Sequence, residues 1–474
     1  ALNDPADAPD ILEFRGGVLG TLAPFVLFLV GVAWLGLSGA PDERGFWPVL
    51  TAALALAMLL SVDRAKWADT VVRGMSQPIV LLMILAWLLA GVLASLINAS
   101  GFVDALVWAA QAGGVRGGGF AVASFLICCL VSTATGTSLG TMILCAPLLY
   151  PAAAGLGADP VILMGAVIGG ATFGDNISPV SDTTIASAST QGADIGGVVR
   201  SRLKYAIPAA LLAIAAYGLL GGGGGSSTGA PSAATNLKAL AMILAPAVVI
   251  ALLVARRPLL EGLLTGVLVA AGVGLTLGLI RVDQIIFINV EKFSAQGLVI
   301  DGMERGIGIS IFTILLSGLV AGIEASGILG RIVDGTSNRI STARGAETWM
   351  FSTVSAAVLL TTHSVVALLT VGHYARRIGE RFGLGRYRRA NILDLTVCTY
   401  PFIVPYCIPT VLASSTTGSG AGAGLPHLAP LQIGLVNFHS WALLLVTVLA
   451  IVTGFGRTVE APPPDRSSTA KPPP

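Results

Sequence analysis

Apolar residues fill this chain in runs of about twenty, separated by short polar stretches, and that spacing predicts membrane-spanning helices. Runs long enough to cross a hydrocarbon core of about 30 Å fall at 17–38, 46–62, 76–97, 161–190 and 203–220. A second set falls at 237–255, 259–281, 306–326, 391–414 and 438–455. Within each set lies another long apolar segment, 119–155 and 346–376, interrupted at its centre by polar residues. Both read as re-entrant hairpins, because unwound backbone at bilayer depth is tolerated only where it is buried in protein or lines a cavity.

The expected fold is therefore an all-α polytopic membrane protein with about ten transmembrane helices and two re-entrant hairpins, arranged as two inverted repeats with broken helices. The first repeat covers 1–220, with its hairpin at 119–155 and broken helix at 161–190. A Gly-rich linker follows at 221–235. The second repeat covers 236–457, with its hairpin at 346–376 and broken helix at 391–414, and 458–474 reads as a disordered C-terminal tail. The halves align faintly at a separation of about 227 residues: Asn98-Ala-Ser-Gly-Phe102 with Glu324-Ala-Ser-Gly-Ile328, and Thr183 to Ser187 with Thr410 to Ser414. Five crossings per half is an odd number, so the second copy sits upside down relative to the first.

Charge gives a second test of that topology. With both termini cytoplasmic, only Arg44, Arg116, Lys238, Arg281, Lys292 and Arg305 fall on outer segments, leaving 21 of the 27 lysines and arginines inside. The cluster from Arg376 to Arg389 then fixes topology and touches anionic lipid. Composition agrees: 54% hydrophobic and 11% charged residues, with a mean hydropathy of +0.84, exclude a water-soluble globule. The five cysteines lie in apolar stretches without metal-ligand spacing and read as packing residues. Gly165/Gly169 and Gly318/Gly322 have the small-xxx-small spacing of close helix contacts.

Against that apolar background, Gly170-Ala-Thr-Phe-Gly-Asp175-Asn-Ile-Ser178-Pro-Val-Ser-Asp182-Thr-Thr184 stands out. A carboxylate at bilayer depth costs roughly 2.5–3.5 kcal/mol even on a lenient scale, so two of them seven residues apart mark a cation site. Gly174 and Pro179 break the helix, and Asp175 and Asp182 flank the break; Asp182 also suits a helix cap before Thr183. The first hairpin tip, Ser132 to Thr141, is rich in Ser, Thr and Gly and offers hydroxyls and freed carbonyls, the oxygen ligands hard cations prefer. In the second half, His363 lies at a hairpin tip and suits a proton sensor. Glu324 lies near the inner end of a crossing, where it is functional, snorkels to the interface or pairs with Arg331.

Ala134-Thr-Gly-Thr-Ser138-Leu-Gly-Thr141 followed by the Asp175 to Thr184 run resembles the NhaC-type sodium/proton antiporter family of the ion transporter superfamily, whose hallmark is a T-G-T-S-x-G-T run and then G-D-x-x-S-P-x-S-D-T-T. The resemblance implies inverted repeats, a mobile transport domain beside a scaffold, and a possible homodimer. Carried over residue by residue, it puts the ion site at Asp175, Ser178, Pro179, Asp182, Thr183 and Thr184; Asn176, where many relatives carry Lys or His, departs from the family but is a further candidate, as are Thr135, Thr137 and Ser138 at the hairpin tip. Asp175 and Asp182 would hold sodium. Asp394 is a looser match to the family's second-half acid. The sequence departs from the family around Thr399 to Thr410 and at the second tip, Thr361-Thr-His-Ser364.

The function expected is secondary active exchange of sodium for protons across the inner (cytoplasmic) membrane through a shared carboxylate site, with elevator-like alternating access. Sodium is substrate rather than cofactor, the other partners are protons and membrane lipids, and no nucleic acid is expected. The alternative is a sodium- or proton-coupled carrier of a small organic anion or amino acid. An enzyme is disfavoured, since the chain has no nucleophile elbow, zinc motif or phosphate-binding P-loop.

Overall fold

The computed structural model describes residues 11–38, 43–223, 236–289, 294–328, 331 and 340–460. Most of the expected linker and tail therefore lies outside the described residues. Among those described, eight helices are long and apolar enough to span a membrane: Gly17–Leu35, Pro78–Ala99, Gly118–Thr135, Pro160–Gln191, Ile195–Leu220, Leu237–Val254, Leu259–Thr276 and Leu298–Ala325. All but one lie on expected crossings; the exception, Gly118–Thr135, is the first arm of the expected hairpin. The crossings expected at 46–62 and 438–455 form the shorter helices Phe46–Leu60 and Phe438–Thr453.

Three elements were not foreseen. Asp63 caps an amphipathic helix, Arg64–Met75, by accepting from the Ala65 and Lys66 amides. A further helix, Phe102–Ala112, precedes the first hairpin. Two antiparallel strands, Phe287–Asn289 and Ser294–Gln296, pair in a small ribbon, the one named sheet among the described residues. The β-branched and aromatic run Ile285-Ile-Phe-Ile288 favours that ribbon.

Both interrupted segments fold back on themselves. The first hairpin joins Gly118–Thr135 to Ser138–Leu149 and the second joins Ala343–Thr361 to Ser364–Arg381, and the arms of each pack together. The first broken helix runs Pro160–Ile177, pauses over Ser178 to Ser181, and resumes as Asp182–Gln191. Pro179 cannot donate to a continuing helix, so the break falls there. The second runs Arg386–Val397 and resumes as Ile408–Thr416 after a stretch holding Pro401 and Pro405.

The helices sort into two groups, each drawing on both halves of the chain. One contains the hairpins, the broken helices, Ile195–Leu220 and Phe438–Thr453. The other is built around Pro78–Ala99 packed along Leu298–Ala325, with Gly17–Leu37, Phe46–Leu60, Arg64–Met75 and Leu259–Thr276. Packing within each group is more extensive than packing between them. In the first group the hairpin arm crosses the broken helix so closely that a Cβ on Gly174 would lie 2.3 Å from the Thr133 nitrogen. Gly165, Gly169 and Gly318 likewise sit at crowded helix contacts, whereas Gly322 faces open space and is not a packing position. Large apolar side chains, among them Leu19, Leu130, Leu219 and Leu268, remain exposed, as expected of a multi-pass membrane protein.

Candidate functional site

The two hairpin tips and the two helix breaks converge on one cavity of about 290 Å³ between the helix groups. The hairpin side contributes Thr137, Ser138, Asp175, Asp182, Thr183 and His363, while Met83 and Trp87 form the opposite, apolar wall. Among the described residues, no lysine or arginine lines it.

Asp175 sits in the last turn before the first break and is 9% exposed. Ser181 Oγ donates to its Oδ1 at 2.6 Å and Ser138 Oγ to its Oδ2 at 2.7 Å. One hydroxyl comes from the far end of the break and the other from the hairpin tip, so the carboxylate ties the two elements together. Ser181 Oγ also lies 3.0 Å from Thr183 Oγ1. A carboxylate has about four lone-pair sites, so two hydroxyl donors leave room for a further ligand. Asp182 is exposed into the cavity and has no hydrogen-bond or ion-pair partner among the described residues. It occupies the first turn of Asp182–Gln191, and the cap position falls to Ser181 instead.

Behind the cavity lies a second, sealed network. Arg202 and Asp394 are both 0% exposed, with Nη1 2.5 Å from Oδ2. Arg202 also donates to Asn391 Oδ1 (3.1 Å), the Asn176 carbonyl (2.5 Å), Thr184 Oγ1 (2.9 Å) and Ser187 Oγ (3.3 Å). Asn176 Nδ2 donates to Asp394 Oδ2 at 2.9 Å. One guanidinium thus pins both broken helices to Ile195–Leu220.

Residues 18–222 match the model of the Na+/H+ antiporter family. The chain is 27% identical over 308 residues to the Na(+)/H(+) antiporter NhaC of Alkalihalophilus pseudofirmus, an alignment spanning 60% of this chain and 64% of that relative. It is 24% identical to the arginine/ornithine antiporter ArcD of Halobacterium salinarum, over 93% of this chain and 94% of ArcD. Over 45% of this chain and 43% of the relative it is 27% identical to the malate-2H(+)/Na(+)-lactate antiporter of Bacillus subtilis. The expected resemblance to NhaC-type antiporters is thereby borne out.

Of the residues that the antiporter motif singles out, Asp175, Asp182, Thr183, Thr137 and Ser138 meet at the cavity, and His363 joins them from the second tip. The others point elsewhere. Asn176, Thr184 and Asp394 are taken up by Arg202 and by one another. Ser178 ends the helix, its amide bonded to the Gly174 carbonyl, and Thr135 Oγ1 donates back to the Val131 carbonyl. Glu324 opens into a separate, smaller cavity. Pairing with Arg331, one of the alternatives for it, is not formed, and Arg331 Nη2 donates to the Ser326 carbonyl.

Sequence reasoning missed Arg202, Asn391 and Ser181. Arg202 was counted among loop cations, but Ile195–Leu220 extends upstream of the expected crossing and carries it inside. The available signal was Asn391 and Asp394, one helical turn apart in a buried stretch, which need a shared partner. Arg388 and Arg389 correct the expected lipid-facing cluster: both are 3% exposed. Arg388 Nε donates to Glu347 at 2.8 Å, and Arg389 Nη1 to the Leu384 carbonyl at 2.9 Å.

Proposed function

We propose that the protein is a secondary antiporter that exchanges sodium for protons at Asp175 and Asp182. The observation that carries this reading is the Asp175 carboxylate, buried at a helix break on a cavity wall, with two hydroxyl donors and no cation of its own. An ionised carboxylate in such surroundings is costly unless a cation or a proton neutralises it. Either species satisfies the same site, so each displaces the other, and a gradient of one drives the other uphill. The buried Arg202 is neutralised by Asp394 and leaves the charge of Asp175 and Asp182 uncompensated.

Alternating access in this reading moves the hairpin group against the group built on Pro78–Ala99 and Leu298–Ala325. In support, the cavity lies between them, and each group packs more tightly within itself than across the divide. The two halves contribute equivalent elements to each group, in keeping with inverted repeats that place both termini on the cytoplasmic side of the inner membrane.

A second reading has an observation of its own. A cavity of about 290 Å³ with apolar walls is roomier than a dehydrated sodium ion needs. Its acidic lining, without lysine or arginine, favours an organic solute bearing an amino group over a dicarboxylate. The alignment to an arginine/ornithine antiporter over 93% of this chain points the same way.

Sealed vesicles containing the purified protein separate the two. Sodium dilution should move protons, and the apparent KM for sodium should rise in proportion to proton concentration on the acid side, with little change in maximal rate. A sodium affinity indifferent to pH across the active range defeats the shared site. Proton movement that requires an added amino acid establishes the second reading instead.

A further inference from the structure

Glu324, His363 and Thr313 border a second cavity of about 80 Å³ that the exchange site does not use. It lies against the main cavity, and the two share Thr362, His363, Ile79, Met83 and Ile408 as wall. His363 is therefore the one titratable side chain on the partition between them.

Several side-chain polar atoms here lack partners among the described residues. Thr313 is 1% exposed, and its Oγ1 has no hydrogen bond. His363 Nδ1 is buried and also unpaired, and the ring caps nothing at the start of Ser364–Arg381. The Glu324 carboxylate has no hydrogen-bond or ion-pair partner among the described residues. Buried polar atoms in a roomy polar space are ordinarily satisfied by water, and each water needs roughly 10–15 Å³ of such space. The cavity has room for several.

We propose that this cavity is a hydrated proton antechamber, in which Glu324 and His363 relay protons to Asp182 and Asp175 by a route separate from the cation's. The inference rests on the antiport reading above. In the relay the Glu324 carboxylic acid gives its proton through water to the free nitrogen of His363. The imidazolium then releases a proton from its other nitrogen to the Asp182 carboxylate, leaving neutral histidine and the Glu324 carboxylate to be reprotonated. Histidine suits the partition because its two nitrogens can face two compartments. The charged groups around it are Glu324 across the antechamber and Asp182 and Asp175 across the main cavity. From the start of Pro78–Ala99 comes only neutral Gln77, and Ile408–Thr416 contributes no charge.

The test compares two exchange modes of the full chain in proteoliposomes: sodium-driven proton movement, and exchange of radioactive for unlabelled sodium, which needs no proton delivery. Glu324→Gln should slow proton movement roughly a hundredfold, the lower end of what a positioned proton-transfer group contributes, and slow sodium-for-sodium exchange far less. His363→Gln should do the same, Thr313→Val should slow proton movement more mildly, and Glu324→Asp should restore part of the loss. Undiminished proton movement in Glu324→Gln overturns the relay. So does an equal loss of both modes, which would make Glu324 part of the cation site or the fold. A wild-type protein that moves no protons removes the antiport reading and the relay with it.

Discussion

At the first hairpin tip the chain turns through Gly136, Thr137 and Ser138; at the second it turns through Thr362, His363 and Ser364. The backbone is nearly the same, with left-handed residues at Gly136 (φ 72°) and Thr362 (φ 55°) ending the incoming arms. The side chains diverge. Thr137 caps its helix by accepting from the Gly140 amide, while His363 caps nothing and borders both cavities. Ser138 donates to the Asp175 carboxylate, whereas Ser364 donates to the Val397 carbonyl at 3.1 Å. The acids follow suit: Asp175 faces the cavity with hydroxyl partners, and Asp394 is locked to Arg202. A repeated scaffold thus presents an acid to the cavity in one half and an acid paired with Arg202 behind it in the other.

The largest expected effects separate those two acids. Asp175→Asn should abolish sodium-driven proton movement while leaving thermal unfolding in detergent close to wild type, because a neutral amide costs less to bury than a carboxylate. Asp394→Asn should do the opposite first. Leaving Arg202 buried and uncompensated costs about 3–5 kcal/mol, visible as a lowered unfolding midpoint and poor yield. Should Asp394→Asn protein instead prove fully stable and merely blind to sodium, both halves bind cation and the asymmetry is wrong.

That asymmetry was only partly legible in the sequence. The tips and breaks stood out because hydroxyls, glycines, prolines and carboxylates interrupt apolar runs where a helix would otherwise continue. The motif placed Asp175, Asp182 and Ser138 together for the same reason. Arg202 stayed hidden because counting cations assigns them to sides of a membrane and cannot tell a loop arginine from one drawn into the first turns of a long helix. Asn176 and Thr184 share their motif with Asp175, but helix geometry turns them to the opposite face, and linear spacing across a break does not reveal that. Phe46–Leu60 and Phe438–Thr453 were readable as apolar runs, and both helices end two residues short of them.

A smaller effect is expected at Gly136. An alanine Cβ there would lie 2.7 Å from Val180 Cγ2 and 2.9 Å from the Val180 carbonyl carbon, on a backbone that side chains rarely adopt. Val180 belongs to the break itself, so Gly136→Ala should push the tip off the break and pull Ser138 from Asp175. Transport should fall roughly tenfold, the equivalent of about 1.4 kcal/mol, with weakened sodium affinity. An unchanged sodium KM would mean that the Ser138 contact does not shape the site.

The smallest effect belongs to the equivalent residue of the other tip. Thr362 already carries a β-branched side chain at φ 55°, a conformation costing of order 1–2 kcal/mol. Glycine would relieve it, less the roughly 0.5–1 kcal/mol of extra backbone freedom that glycine loses on folding. Thr362→Gly should therefore raise the unfolding midpoint slightly and leave sodium affinity alone, since the tip it ends holds no carboxylate. Stability that rises while proton movement falls would show that the strain at Thr362 positions His363 for the proton relay.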